Sequence, residues 1–130
     1  MNAPLVLVVD DDPDILEAIC DILGTESYRV ARAKNGLEAL ERVDAERPDV
    51  ILLDLMMPVM DGVTFAQALR QRPAASDVPI LVISADGNPA RAASVGARAY
   101  LAKPFDIDTL LGHVTAIAGR AAGGEPRMGI

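Results

Sequence analysis

The chain has 130 residues, a net charge of −7 at pH 7 and 51% hydrophobic residues, so we expect a single domain with its own core. The negative charge disfavours binding to nucleic acid or to an anionic membrane, and no apolar run approaches the roughly 20 residues of a membrane span. Cys20 is the only cysteine, which excludes an internal disulfide and leads us to expect a reducing, cytoplasmic location.

Five short apolar runs are predicted to be strands. They cover residues 5–9, 28–33, 50–53, 80–83 and 99–102. The run at 50–53 has no polar interruption, which is typical of a strand buried on both faces. The run at 28–33 contains two arginines, so we expect it at an edge of the sheet.

A helix is predicted after each strand, because apolar residues recur there at helical spacing. The predicted first or capping residues are Asp12, Asn35, Asp61, Asn88 and Asp106. The helices are expected to end at or before Gly24, Pro48, Pro73 and Gly96. The residues expected to face the core are Ile15, Ala18, Ile19, Cys20, Ile22, Leu23, Leu37, Leu40, Val43, Phe65, Ala66, Leu69, Ile107, Leu110, Leu111, Val114 and Ile117.

This strict alternation predicts an α/β fold, a single doubly wound domain in which helices cover both faces of a five-stranded parallel sheet. We expect residues 1–118 to form that domain. Residues 119–130 are small and glycine-rich, and we expect a flexible C-terminal tail or a truncated linker there.

Polar side chains follow four of the predicted strands. Asp10 and Asp11 follow the first strand, Asp54 the third, Ser84 the fourth and Lys103 the fifth. The carboxyl ends of parallel strands share one edge of the sheet, where ligands of such folds bind. Each residue alone would be explained as a cap, a loop hydroxyl or a surface cation. Together they indicate a functional site at this edge of the sheet.

The chemistry available to this set is narrow. Carboxylate oxygens suit the octahedral preference of Mg²⁺, which would also relieve the repulsion among Asp10, Asp11 and Asp54. A lysine and a hydroxyl can bind further phosphoryl oxygens, as phosphoryl transfer requires. Asp54 is the candidate nucleophile, because an aspartate can form an acyl phosphate.

Four motifs resemble the receiver domain of bacterial two-component response regulators, over about residues 4 to 118. They are Val-Val-Asp-Asp-Asp-Pro, Leu-Leu-Asp-Leu-Met-Met-Pro-Val-Met-Asp-Gly, Ile-Ser-Ala and Gly-Ala-Arg-Ala-Tyr-Leu-Ala-Lys-Pro-Phe. The resemblance implies a flavodoxin-like fold with strand order 2-1-3-4-5. It also implies a regulatory phospho-acceptor, not an enzyme, which assists its own Mg²⁺-dependent phosphorylation and dephosphorylation.

The resemblance assigns a role to each site residue. Asp54 would accept the phosphoryl group, and Mg²⁺, or Mn²⁺ as a substitute, would be held by Asp54, Asp11 and the carbonyl of Met56, with Asp10 acting mostly through water. Lys103 would contact the phosphoryl group, and the bond to Pro104 is usually cis in the family.

Ser84 would be the switch hydroxyl and Tyr100 the aromatic that turns inward behind it. The implied partners are a sensor histidine kinase or a histidine phosphotransfer protein, and a downstream effector of unknown identity.

The sequence departs from the family between Ser84 and Lys103, where it is shorter than typical receivers. The fourth helix should therefore be short, which affects the surface that receivers ordinarily use for output. Met56 and Asp86 lie at positions where family members vary the rate of dephosphorylation.

Other protein classes fit the residues less well. Asp10, Asp12 and Asp14 have the acidic spacing of a calcium-binding EF-hand, but the sixth position is Ile15, not glycine. A dehalogenase-type phosphatase needs a second aspartate where Met56 stands, and a flavin carrier would not place acidic residues after its first strand. The remaining alternative is a pseudo-receiver, which binds proteins without being phosphorylated.

Overall fold

The computed structural model describes residues 3–57, 59–85 and 89–119. Within these ranges the elements are β1 (Leu5–Val9), α1 (Pro13–Thr25), β2 (Arg29–Ala33), α2 (Gly36–Ala45), β3 (Val50–Leu53), α3 (Gly62–Arg70), β4 (Ile80–Ser84), α4 (Pro89–Ser94), β5 (Ala99–Ala102) and α5 (Ile107–Ala118). The predictions made for Asp86, for Asn88 and for a flexible tail at 120–130 lie outside the described residues.

The five strands form one parallel sheet in the order β2-β1-β3-β4-β5, which confirms the predicted fold and strand order. The central strands β1, β3 and β4 are buried along their whole length. Such strands need helices on both faces, which explains their continuous apolar sequences.

Two core layers lie on opposite faces of the sheet, because successive side chains of a strand point to opposite sides. On β3, Ile51 and Leu53 pack in the layer that α2, α3 and α4 cover. Val50 and Leu52 pack in the layer that α1 and α5 cover. Both layers are closed without a second domain in the described residues.

Four helices begin at the predicted caps. The side-chain oxygen of each cap accepts a hydrogen bond from a backbone N–H of the first helical turn, which satisfies a donor that the helix itself leaves free. The caps are Asp12, Asn35, Asp61 and Asp106. The fourth helix, α4, has only six residues, so the short helix is confirmed.

The end of α1 was predicted wrongly. The helix runs past Gly24 to Thr25, and the left-handed backbone conformation of the following turn belongs to Ser27, with a φ of 69°. Gly24 is therefore an ordinary helical residue in the last turn.

The predicted core faces are confirmed in α3 and mostly confirmed elsewhere. In α1 the buried face includes Leu16 and Cys20, whereas Ala18 is exposed. Leu37 and Ile107 were predicted to face the core and are about half exposed, at 49% and 50%. Both lie in the first turn of their helices, where the chain has just left the sheet edge. No helix of the described residues is long and apolar enough to span a membrane.

Candidate functional site

Two carboxylates lie at the carboxyl edge of the sheet, directly after its central strands. The N–H of Asp54 donates to the carbonyl of Val9 at 3.0 Å, and the N–H of Asp10 donates to the carbonyl of Ala33 at 3.1 Å, so both residues continue the strand ladder. Asp10 is 3% exposed and Asp54 is 5% exposed. Burying an unpaired carboxylate costs free energy, so each of these two groups is expected to have a partner.

Lys103 supplies the partner for both carboxylates. Its Nζ lies 2.8 Å from Oδ2 of Asp10 and 3.2 Å from Oδ2 of Asp54. Its backbone N–H donates to the carbonyl of Ser84 at 3.0 Å, which extends the pairing of β4 with β5. The peptide bond between Lys103 and Pro104 is cis, as the resemblance implied.

The pKa values of Asp54 and Lys103 are both raised, for different reasons. Burial raises the pKa of the Asp54 carboxyl, and the charge of Asp10 adds to this, although the N–H of Met56 and the ammonium of Lys103 act in the opposite direction. Burial works to lower the pKa of Lys103, but its contacts with Asp10 and Asp54 outweigh burial and raise it. Lys103 therefore keeps its charge, and this single positive charge faces two buried carboxylates.

A metal ion would supply the missing charge. Asp10, Asp11 and Asp54 each have a carboxylate oxygen within 4.8 Å of the others. Asp11 is exposed, so the cluster opens to solvent on its side. Three hard oxygen donors and an uncompensated negative charge fit Mg²⁺. Asp12 belongs elsewhere, because its carboxylate caps α1.

One oxygen of each buried carboxylate is occupied by backbone. Oδ1 of Asp10 accepts the N–H of Asp12 at 2.9 Å, and Oδ1 of Asp54 accepts the N–H of Met56 at 3.0 Å. These bonds fix both carboxyl groups so that their Oδ2 atoms meet at Lys103. The backbone of Met56 is thereby anchored beside Asp54.

Ser84 and Tyr100 lie on one face of the sheet. Tyr100 pairs with Val82 in the β4–β5 register, and Ser84 is two residues beyond Val82, so the three share the face covered by α3 and α4. Ser84 is fully buried. The hydroxyl of Tyr100 is also buried and has no hydrogen-bond partner among the described residues, which is uncommon for a buried polar atom.

Arg91 of α4 contacts Met56, and the sequence did not predict this contact. Its Nη1 lies 3.2 Å from Sδ of Met56, whose side chain is 55% exposed. Nothing in the local sequence of α4 marks this arginine, since the contact joins α4 to a residue 35 positions earlier in the chain.

The chain matches known proteins over nearly its whole described length. A family model of the response regulator receiver domain matches residues 6–115. The transcriptional regulatory protein PrrA of Mycobacterium bovis is 42% identical over 123 residues, which cover 92% of this chain and 52% of that protein. The chain therefore spans about half the length of this curated relative.

Solved structures agree with the sequence match. A putative response regulator from Chloroflexus aurantiacus has a TM-score of 0.82 and 35% identity, covering 90% of this chain and 98% of that one. The receiver domain of the sensor histidine kinase PA1611 from Pseudomonas aeruginosa has a TM-score of 0.83 and 29% identity, covering 89% and 98%, and its structure holds a magnesium ion in the active-site cleft.

Proposed function

This chain belongs to the response regulator receiver domain family, and from that membership we propose that Asp54 accepts a phosphoryl group from a phosphohistidine. The donor would be a sensor histidine kinase or a histidine phosphotransfer protein. The observation that carries the proposal is the convergence of Asp10, Asp11 and Asp54 within 4.8 Å, with Lys103 bonded to two of them.

In the proposed transfer, Oδ2 of Asp54 attacks the phosphorus atom. The new O–P bond forms while the N–P bond of the phosphohistidine breaks, and the imidazole nitrogen takes the bonding electrons and then a proton. Oδ1 stays with the N–H of Met56, which fixes the direction of the nucleophile. Lys103 exchanges its Asp54 oxygen for a phosphoryl oxygen and keeps its bond to Asp10.

Asp11, Asp54 and the carbonyl of Met56 would hold Mg²⁺ directly, and Asp10 would act mostly through water. The ion would neutralise charge on the phosphoryl oxygens. Mn²⁺ is proposed as a substitute, because it prefers the same oxygen ligands.

Phosphorylation would then change the surface around α4 and β5. The Ser84 hydroxyl would turn toward the phosphoryl group, and Tyr100 would occupy the space behind it. The support for this step is that both residues share one face and that the buried Tyr100 hydroxyl has an unused hydrogen-bonding capacity. The result is a population shift between two arrangements of the neighbouring loops.

The chain would act as a regulatory phospho-acceptor that assists its own phosphorylation and dephosphorylation, without turning over a separate substrate. We propose residues 1–118 as the receiver domain and 119–130 as a tail or linker.

A cytoplasmic location suits the single buried thiol of Cys20. The effector that reads the phosphorylated state would be a protein, since the net charge disfavours nucleic acid as a direct ligand of this domain.

Intact mass tests the proposal directly. The protein is incubated with phosphoramidate, with and without Mg²⁺, and the expected result is one added, alkali-labile phosphoryl group that requires the metal. Asp54→Ala should abolish the addition, while Asp49→Ala, a strand-flanking aspartate whose carboxylate binds the N–H of Leu5, should not. Labelling that persists in Asp54→Ala would contradict the mechanism, and no labelling at all would favour the pseudo-receiver.

A further inference from the structure

We propose that the groove between α3 and the end of α4 is a docking site for an acidic segment of a partner protein, which binds a carboxylate to Arg70 and inserts an apolar side chain beside it. The inference goes beyond the proposed function, because it concerns a second surface and does not require phosphorylation of Asp54. Three observations carry it: the lining of the groove, the hydrogen bonds of Arg70 and the uneven distribution of charge along the chain.

The groove has a volume of about 250 Å³ and combines apolar with polar lining residues. Ala66 and Val95 are buried, and Val63 is half-buried. The exposed lining residues are Gln67, Ser94 and Gly96. Partner side chains that contribute most to binding fill well-packed pockets of this kind, with polar groups around them. The groove therefore suits an apolar side chain that is flanked by polar or charged groups.

Arg70 is the charged residue of the groove, and its guanidinium is bonded to backbone carbonyls. Nη1 donates to the carbonyls of Ser76 and Val78 at 2.8 and 3.2 Å, and Nη2 donates to that of Val95 at 3.4 Å. A guanidinium has five N–H donors, so Nε–H and one N–H of Nη2 have no partner among the described residues. Donors on neighbouring nitrogens can bind one carboxylate through two parallel hydrogen bonds. Arg70 is thus held in place and still has donors for an acidic group.

The charge on this side of the molecule is positive, although the chain as a whole is negative. Residues 62–76 and 89–105, which include α3 and α4, contain arginines but no aspartate or glutamate. Residues 1–28, which include α1, contain many acidic residues but no lysine or arginine, and α1 packs on the opposite face of the sheet. Charges are screened beyond about 8 Å at physiological ionic strength, so a short acidic segment in the groove is affected mainly by the nearby arginines.

Carboxylates of the chain do not neutralise the arginines beside the groove. Arg98 follows the end of α4, is exposed and, like Arg70, forms no salt bridge within the described part of the chain. The flanking acidic residues have other partners, because Asp61 caps α3 and Asp77 pairs with Arg47 at 2.9 Å. An acidic group of a partner would supply the missing negative charge.

A protein segment fits this surface better than nucleic acid does. A nucleic-acid backbone is a long polyanion, and the net charge of −7 opposes its approach. It also carries no apolar side chain that could pack against Ala66 and Val95. A segment with an aspartate or glutamate next to a leucine, isoleucine, methionine or phenylalanine satisfies both the charge and the apolar lining.

A selection from a displayed library of random peptides tests the proposal on the complete, unphosphorylated chain. The expected result is an acidic class of peptides in which a carboxylate stands next to a large apolar residue. One such peptide is synthesised with a fluorophore, and its affinity is measured by fluorescence anisotropy. Its binding should change the NMR chemical shifts of Val63, Ala66 and Val95.

Substitutions then separate docking in the groove from a general effect of charge. Gln67→Glu adds a negative charge at the exposed edge of the groove with little change in size, and Arg98→Glu reverses a charge beside it; each should weaken binding about five- to tenfold. Arg32→Glu is the matched control, since it makes the same reversal at an exposed position of β2, the opposite edge strand, and should change affinity by less than about twofold.

Arg70→Lys keeps the charge but loses the paired donors, so it should also weaken binding. Circular dichroism verifies that this variant is folded. Because Arg70 bonds to several carbonyls, a variant that does not fold leaves Gln67→Glu as the deciding measurement.

Three results would overturn the inference while leaving the proposed phosphorylation of Asp54 intact: no acidic class among the selected peptides, an unchanged affinity in Gln67→Glu, or equal weakening in Arg98→Glu and Arg32→Glu. Duplex DNA that displaces the peptide and produces the same chemical-shift changes would identify nucleic acid as the ligand and would also overturn it.

Discussion

Lys103 Nζ lies 2.8 Å from Oδ2 of Asp10, which joins the cation after β5 to a carboxylate after β1 across two intervening strands. The lysine side chain is 16% exposed and that of the aspartate 4%. A pair this deeply buried is sensitive to loss of either member, because the other is left as an uncompensated charge.

Lys103→Ala should lower the free energy of unfolding of the metal-free protein by about 2–3 kcal/mol, because Asp10 and Asp54 lose their common partner. Mg²⁺ affinity should not fall, so the metal should stabilise the variant at least as much as it stabilises the wild type. Urea denaturation with and without the metal measures both effects. Lys34→Ala is the control, because the Lys34 side chain is 70% exposed and its Nζ lies 3.8 Å from Glu38; it should change the free energy of unfolding by about 0.5 kcal/mol or less. A weaker Mg²⁺ affinity in Lys103→Ala would contradict the role assigned to the lysine.

Gly62→Ala should destabilise the protein by about 2–3 kcal/mol and slow labelling of Asp54. A Cβ at this position would lie 2.7 Å from Cα of Leu55 and 2.9 Å from the carbonyl oxygen of Asp54, so the segment that carries Asp54 has to move. Gly112→Ala is the matched comparison within α5, where a Cβ meets nothing within 4 Å, and it should stabilise by about 0.5–1 kcal/mol. Equal effects of the two substitutions in thermal denaturation would rule out the steric explanation.

Asp61→Ala should destabilise the protein at neutral pH by about 1 kcal/mol, through loss of the α3 cap. The hydrogen bond from the N–H of Thr64 holds the pKa of the Asp61 carboxyl below its ordinary value. Its contribution to stability is therefore present above the pKa of the unfolded chain and is lost as the pH falls through the folded pKa.

The difference between wild type and Asp61→Ala should accordingly shrink in acid, as measured by urea denaturation over a series of pH values. Asp61→Asn keeps a capping oxygen that does not titrate, so its unfolding free energy should lack this pH dependence. A difference between wild type and Asp61→Ala that stays constant down to low pH would show that the cap is not the cause.

Val59→Asn should stabilise the protein by about 1 kcal/mol. Val59 has a φ of 69°, a left-handed conformation that β-branched residues rarely adopt and that asparagine tolerates. The side chain is 75% exposed, so its replacement removes little buried surface. Ser27→Asn, at the same φ of 69°, is the comparison and should gain less stability, because serine is not β-branched. If thermal denaturation shows no gain in stability for Val59→Asn, the left-handed conformation of Val59 carries little strain.

The sequence was sufficient to predict the residues that meet at the sheet edge. Alternating strands and helices permit one parallel arrangement of carboxyl ends, so Asp10, Asp54 and Lys103 could be placed together without any knowledge of their distances. The sequence could not predict which carboxylate oxygens bind Lys103. That choice depends on the backbone hydrogen bonds that fix the carboxyl groups.

Other features depended on geometry that periodicity does not encode. In α1 both Ile15 and Leu16 are apolar, so the spacing alone could not tell which stripe faces the sheet, and Leu16 became the buried one. The contact of Arg91 with Met56 joins two residues 35 positions apart, and no local pattern of residue types predicts it.

Asp10 and Lys103 are 93 positions apart in the sequence, which has a consequence for how the protein is made. During synthesis the acidic residues emerge early, and β5, which carries the lysine, emerges near the end. The ion pair closes a loop of that length, and it needs β3 and β4 in place between β1 and β5. A nascent chain that ends before β5 thus contains Asp10 and Asp54 without Lys103, so the proposed phospho-acceptor site is complete only when the fold is complete.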